Sequence, residues 1–138
     1  MSSPTASASG AKLNNSLSGV LKNSGDLFAA AGAKYGIDPA LLAAIAVHET
    51  GNGTSSAVKN KNNVGGMMGK KGLMTFSSLQ EGIDKMASNL KRNYIDKGLT
   101  SIEQIQKKYA PNGAANDPTN LNSYWTSGVS KYYNMFSK

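Results

Sequence analysis

The stretch 38–53, "DPALLAAIAVHETGNG", constrains this chain more than any other. Asp38 is a natural N-cap, Pro39 suits the first helical position, and the small apolar run that follows carries a helix until Gly51 and Gly53 stop it. His48 and Glu49 occupy the last turn. A glutamate there lies against the negative end of the helix dipole, where a cation would be preferred. Glu49 also falls four residues after Ile45 and eight after Leu41, on the stripe that faces the core. Either the chain places a carboxyl group beside its core, or the last turn is exposed and Glu49 is an ordinary surface residue.

The other acids help to decide, because each has a structural reading. Asp26 and Asp38 read as N-caps of two successive helices, the first being "LFAAAGAKYG", which ends at Gly36. Glu81 in "SSLQEG" and Glu103 in "TSIEQ" read as capping-box partners of Ser78 and Thr100. Asp117 precedes Pro118 in a turn, and Asp84 and Asp96 fall on polar faces among lysines and asparagines. Glu49 alone has no such role. Partial burial and the helix terminus both disfavour its ionisation, so its pKa is expected to be raised, leaving a carboxyl group able to donate a proton near neutral pH.

Residues 1–24 are rich in Ser, Ala, Asn and Gly and read as a flexible linker with at most a short helix through Leu13, Leu17, Val20 and Leu21. Residues 25–138 are expected to form one domain. Within it, 54–76 is polar and glycine-rich without helical periodicity, and reads as a loop with a short hairpin. Ile83, Met86, Ala87, Leu90 and Tyr94 then share one helical face, and Ile102, Ile105 and Tyr109 share another. The segment "APNGAANDPTN" reads as a loop, and a last helix over about 122–136 aligns Trp125, Val129, Tyr132 or Tyr133, and Phe136. The spacing gives Trp125 and these tyrosines to core packing, not to sugar stacking. The expected fold is mainly α, with five or so helices forming a core and a small loop or hairpin lobe forming a substrate cleft.

A proton-donating glutamate at a helix end beside such a lobe is an arrangement suited to protonating a glycosidic oxygen. A glycosidase normally needs a second carboxylate, yet no acid occurs between Glu49 and Glu81. The cationic transition state must then be stabilised by the substrate's own N-acetyl group, by backbone dipoles or by an acid from elsewhere. Substrate assistance demands a 2-acetamido sugar, as in peptidoglycan or chitin.

The same residues resemble a known group. "YGIDPALLAAIAVHETGNGTS" is similar to the catalytic helix of the lysozyme-like superfamily, close to the bacterial and phage beta-N-acetylglucosaminidases (mannosyl-glycoprotein endo-beta-N-acetylglucosaminidase-like) and the soluble lytic transglycosylases. "NNVGGMMG", "TFSSLQEGIDKMASNL", "YAPNGAANDP" and "YWTSGVSKYY" continue the resemblance in order, so that it covers Leu27 to Phe136. It implies a general acid at Glu49 and a tyrosine facing the scissile sugar at Tyr109, although Tyr109 also reads as the core end of the Ile102, Ile105 stripe. It further implies a cleft lined by Asn63, Gly65, Gly66, Met67 and Met68; Ser55 and Phe76, at the two ends of the lobe, complete the expected substrate-binding set. The sequence departs from the transglycosylases in lacking a glutamine after its lobe methionines, and from many glucosaminidases in lacking a lobe acid.

Other chemistries fit poorly. His48-Glu49 lacks the second histidine of a zinc helix, since position 52 is Asn52 and the chain has no other histidine, so no metal and no cofactor are expected. His48 points about 100° round the helix from Glu49 and reads as structural. "GGMMGKK" fails the phosphate-loop pattern at Val64 and Lys71. Fifteen Lys+Arg against eight Asp+Glu give a net charge of +7, which suits an anionic wall polymer. With Arg92 the chain's one arginine, nucleic acid is not an expected partner. No run approaches the roughly 18 apolar residues of a membrane span, and no basic-then-apolar signal pattern opens the chain. The expected role is cleavage of peptidoglycan glycan strands, outside the cell or at its wall, by a module tethered to a larger phage-tail, endolysin, conjugation or autolysin protein. The alternatives are a lytic transglycosylase leaving anhydromuramic ends, and a glycan-binding or structural module without turnover, for which Met67, Met68 and Met74 offer a partner surface.

Overall fold

The computed structural model describes residues 10–109 and 124–137. Seven α-helices appear among them: α1 (Gly10–Asn14), α2 (Gly25–Tyr35), α3 (Pro39–Thr50), α4 (Ser56–Lys61), α5 (Leu79–Asn93), α6 (Ile102–Tyr109) and α7 (Trp125–Ser137). A two-stranded hairpin, β1 (Met68–Gly69) and β2 (Gly72–Leu73), lies between α4 and α5. The fold is the expected mainly helical core with a small lobe.

Helix α3 is its centre. Asp38 accepts the Ala40 N–H at 2.9 Å, Pro39 opens the helix, and Gly51 closes it in the left-handed conformation. Every residue from Pro39 to Val47 is buried. A helix apolar on all sides has to be surrounded, and α2 and α7 are its main partners. Each large side chain so buried, such as Leu42 or Ile45, contributes about 1.5–3 kcal/mol. Helix α5 shows the one-sided pattern instead, burying Ile83, Met86, Ala87 and Leu90.

Local capping differs from expectation in three places. Helix α2 begins at Gly25, so Asp26 sits in its first turn and does not cap it; the Gly25 N–H is accepted by Asn14 Oδ1 at 2.8 Å. At α5, Ser78 Oγ accepts the Glu81 N–H as predicted, but Glu81 reaches back to the Ser77 N–H. At α6 the box slides by one residue: Ser101 Oγ accepts from Gln104, and Gln104 Oε1 accepts from Thr100 and Ser101. Glu103 is left exposed. Asp84 is not simply solvated, since it accepts from Lys34 Nζ at 3.0 Å and Tyr35 Oη at 2.9 Å.

Residues 10–24, expected as linker, are packed. Leu13, Leu17 and Leu21 are buried in the common core, because three leucines at spacings of four can cover an apolar face that α2 and α3 would otherwise expose. The segment also ties down the turn after α3: the Val20 N–H donates to the Gly53 carbonyl at 3.0 Å, and Ser18 bonds Asn52 through both N–H and Oγ. A Cβ on Gly53 would lie 2.4 Å from the Ser18 carbonyl oxygen, so the contact needs glycine.

The lobe, expected as loop and hairpin, contains the extra helix α4. Asn62 ends it in the left-handed conformation, and the hairpin pairs Met68 with Leu73 and Gly69 with Gly72 in antiparallel register. The predicted loop over 110–120, with Asp117, and residues 121–123 lie outside the described residues.

Candidate active site

The carboxyl group of Glu49 lies where α3, α7 and the lobe meet. Glu49 Oε1 accepts the indole N–H of Trp125 at 2.8 Å. Oε2 is turned toward the lobe, 3.3 Å from where a Cβ on Gly66 would be. Gly66 has φ of +64° and so meets both demands, left-handed backbone and close approach to an oxygen. Burial pushes the Glu49 carboxyl above its ordinary range, and the bond from Trp125 offsets part of that rise. An indole N–H only donates, so Oε1 is always the acceptor. Oε2 is the oxygen nearer the lobe.

Aromatic rings fix this arrangement. The Trp125 ring meets His48 edge-on at 6.2 Å and Tyr109 at 5.5 Å, and Tyr109 meets Tyr94 at 5.7 Å. Desolvation holds the His48 imidazole below its usual value. Tyr109 is raised well above the usual phenol range, by burial first and then by the nearby Glu49 charge; Tyr94 is raised by the same two causes. Both phenols are thus neutral hydrogen-bond donors at physiological pH. Tyr109 Oη donates to the Gly65 carbonyl, pinning the start of the lobe above Glu49. The two readings of Tyr109 meet here, since it packs on the core and also borders the site.

Beside this group opens a cleft of about 370 Å³, lined by Gly65, Gly66, Met67, Met68 and Met74 of the lobe, by Tyr94 and Tyr109, and by Lys85, Asn89 and Arg92. Gly65, Gly66, Met67, Met68 and Tyr109 are thus brought together as expected from the sequence. Three expected residues are used elsewhere. Asn63 is buried and bonds the lobe backbone, accepting from the Met67 N–H at 3.0 Å and donating to the Met67 and Met74 carbonyls at 2.9 and 3.0 Å. Phe76 is buried at the lobe's base, where its N–H donates to the Lys61 carbonyl and its carbonyl accepts from Asn62 Nδ2. Ser55 caps α4 through the Val58 N–H. All three build the lobe without lining the cleft.

Sequence reasoning missed Trp125, Tyr94, Lys85, Asn89 and Arg92. Trp125 does belong to the core, being 2% exposed, but a buried indole N–H needs an acceptor, and that need was the legible signal. The α5 residues were legible only as a polar face.

Residues 25–137 match the model of a family described as mannosyl-glycoprotein endo-beta-N-acetylglucosaminidase. No curated protein matches the chain. Among solved structures it is similar to S. aureus autolysin E in complex with the muropeptide NAM-L-Ala-D-iGlu, at 21% identity and a TM-score of 0.70, covering 92% of this chain and 65% of that one. A catalytic mutant of autolysin E in complex with the disaccharide NAG-NAM is similar at 20% identity and a TM-score of 0.73, over 92% and 65%. Autolysin E without a stated ligand gives 20% and 0.72, over 92% and 64%. At these identities the likeness establishes the fold, and the chain spans just under two thirds of the length of those proteins.

Proposed function

Because this chain belongs to the mannosyl-glycoprotein endo-beta-N-acetylglucosaminidase family, we propose that it is a glycosidase cleaving the glycan strand of peptidoglycan, with Glu49 as general acid. The observation that carries the reading is the Glu49 carboxyl, desolvated, held through Oε1 by Trp125, and presenting Oε2 toward Gly66 at the edge of a cleft. A carboxyl group with a raised pKa in that position is suited to protonating a leaving-group oxygen.

In the proposed step the Oε2 proton passes to the glycosidic oxygen as its bond to C1 breaks, and the carboxylate left behind is stabilised by the Trp125 N–H. Since no acid stands between Glu49 and Glu81 in the sequence, the C1 cation is met by the acetamido oxygen of the same sugar; water then attacks C1, breaking that new C1–oxygen bond, and its proton returns to the Glu49 carboxylate. Tyr109 and the Gly65–Gly66 backbone border the reacting sugar. The cleavage occurs at the cell wall, where the net charge of +7 favours an anionic polymer. Among the described residues no helix is long and apolar enough to cross a membrane.

The test is digestion of purified peptidoglycan by the wild type and Glu49→Gln, followed by borohydride reduction and mass spectrometry of the fragments. Reduced glucosamine ends, absent with the variant, are expected. Reduced muramic ends would move the cut to the other bond, and anhydromuramic ends would make the protein a lytic transglycosylase. Intact glycan from several wall types with the wild type would overturn the enzyme reading in favour of a binding or structural module.

A further inference from the structure

Three cleft residues outside the Glu49 group follow a single pattern. Lys85, Asn89 and Arg92 are spaced by four and three along α5, which puts them on one stripe of that helix, and all three line the cleft. No acid is among the described lining residues. Of the acids flanking this stripe, Asp84 is bridged by Lys34, with Lys85 adding a weaker charge attraction, and Asp96 is bridged by Lys91. Neither Lys85 nor Arg92 forms an ion pair among the described residues. Asn89 Oδ1 accepts from Asn93 Nδ2 at 2.6 Å, so its amide N–H groups are what it offers outward. A further cation, Lys108, sits 5.0 Å above the Tyr94 ring and donates to the Asn93 carbonyl. The α5 side of the cleft therefore offers donors and positive charge, whereas the lobe side offers glycine backbone and methionine.

We propose that Lys85, Asn89 and Arg92 form a carboxylate-recognising wall that selects glycan carrying an anionic substituent next to the bond presented to Glu49. The inference rests on the glycan-cleaving reading above and adds the class of strand preferred. A guanidinium and an ammonium about two helical turns apart can each hold a carboxylate, with Asn89 supplying a neutral donor between them. A neutral 2-acetamido polymer gains nothing from this wall. Two parts of peptidoglycan carry the required group, the lactyl carboxylate of peptide-free muramic acid and the carboxyl groups of an attached peptide.

The test measures binding by calorimetry in the Glu49→Gln background, so that no ligand is consumed. Probes are a peptide-bearing muramyl tetrasaccharide, the same glycan stripped of peptide, and a neutral chitin tetrasaccharide. At low salt the anionic probes are expected to bind about tenfold more tightly than the chitin oligomer, as two partly solvated ion pairs would give. Adding Lys85→Gln and Arg92→Gln is expected to abolish most of that preference, weakening the anionic probes by a much larger factor than chitin. Raising salt from about 0.02 M to about 0.5 M should erode the preference without any substitution, so the result does not depend on the folding of the double variant. Preference for both anionic probes would assign the lactyl carboxylate, and preference for the peptide-bearing probe alone would assign the peptide. A preference that survives both the double substitution and high salt overturns the wall and leaves the glycosidase reading standing. No binding of any probe, with no digestion of peptidoglycan by the wild type, overturns both.

Discussion

Trp125 and Glu49, 76 positions apart in the chain, are joined by one hydrogen bond of 2.8 Å from indole N–H to Oε1. Trp125 is also the chain's one tryptophan, so its fluorescence reports directly on the charge of Glu49. Emission is expected to change with pH in a step centred above the ordinary carboxylate range, since burial raises Glu49. His48, edge-on to the same ring and held below its usual value by desolvation, adds a second step. Glu49→Gln should remove the first step and keep the second, and His48→Gln should do the reverse. A titration identical in wild type and Glu49→Gln would break the proposed link between the two residues.

Replacing the indole donor separates orientation from packing. Trp125→Phe keeps a ring between His48 and Tyr109 and removes the N–H. A hydrogen bond to a charged acceptor is worth about 1.5–3 kcal/mol, and it favours the carboxylate that follows proton transfer. Turnover on peptidoglycan should therefore fall roughly tenfold or more, with KM little changed. The bond from Trp125 lowers the Glu49 pKa, so its loss moves the alkaline limb of the pH–rate profile upward. An unmoved limb with reduced kcat would mean that Trp125 acts through packing alone.

The Glu49 carboxyl is stabilising in its protonated form only. Its folded pKa lies above its unfolded value, so the folded state binds the proton more tightly. Its contribution is full below the unfolded pKa and disappears as pH rises through the folded pKa. Above its folded pKa the charged, desolvated group is a net cost, and Glu49→Gln should raise the thermal midpoint there, with the difference shrinking as pH falls. Equal or lower stability of the variant on the alkaline side of that pKa would show that Glu49 is better solvated than its surroundings imply.

The lobe gives the sharpest contrast between what the sequence revealed and what it hid. The residues Gly65 to Met68 were legible as a cleft wall only through the resemblance that "NNVGGMMG" carries, and they do line the cavity. Asn63, which the same resemblance implied for the cleft, bonds the lobe backbone, and an asparagine in a polar run looks identical whether it faces solvent or bonds backbone. Helix α4 escaped because a six-residue helix is too short to establish a period. The elimination singled out Glu49, which borders the candidate site, although Asp26, Glu103 and Asp84 have other roles than assigned. What carried it was the local conflict of a carboxyl group on an apolar stripe at the wrong end of a helix, and such conflicts mark functional positions.

Asn63→Ala tests the lobe's construction. It removes three hydrogen bonds and leaves the Met67 N–H and the Met74 carbonyl seeking partners, while the Met67 carbonyl keeps the Met74 N–H. With partial rescue by water, the cost should be about 2–4 kcal/mol locally. Hydrogen exchange at residues 64–75 should accelerate far more than exchange in α3, and peptidoglycan cleavage should fall. Uniform acceleration throughout the chain would show that the lobe and the helical core open together.

The segment before α2 is expected to matter for the same site from the opposite side. Ser18 and Val20 bond Asn52 and Gly53, three and four residues after Glu49, and Leu13, Leu17 and Leu21 anchor that segment in the core. Leu21→Ala should destabilise the fold by about 2–5 kcal/mol, as for other buried leucines. Ser18→Ala with Asn52→Gly should leave the leucines in place, since Gly suits the positive φ at position 52, but remove the two bonds between Ser18 and Asn52 that use their side chains, loosening the turn that ends α3. The expected signature of this double variant is a small change in thermal midpoint with a several-fold loss of activity and a broadened Trp125 titration. If it titrates and cleaves like the wild type, the segment serves the core only and α3 holds Glu49 in place unaided.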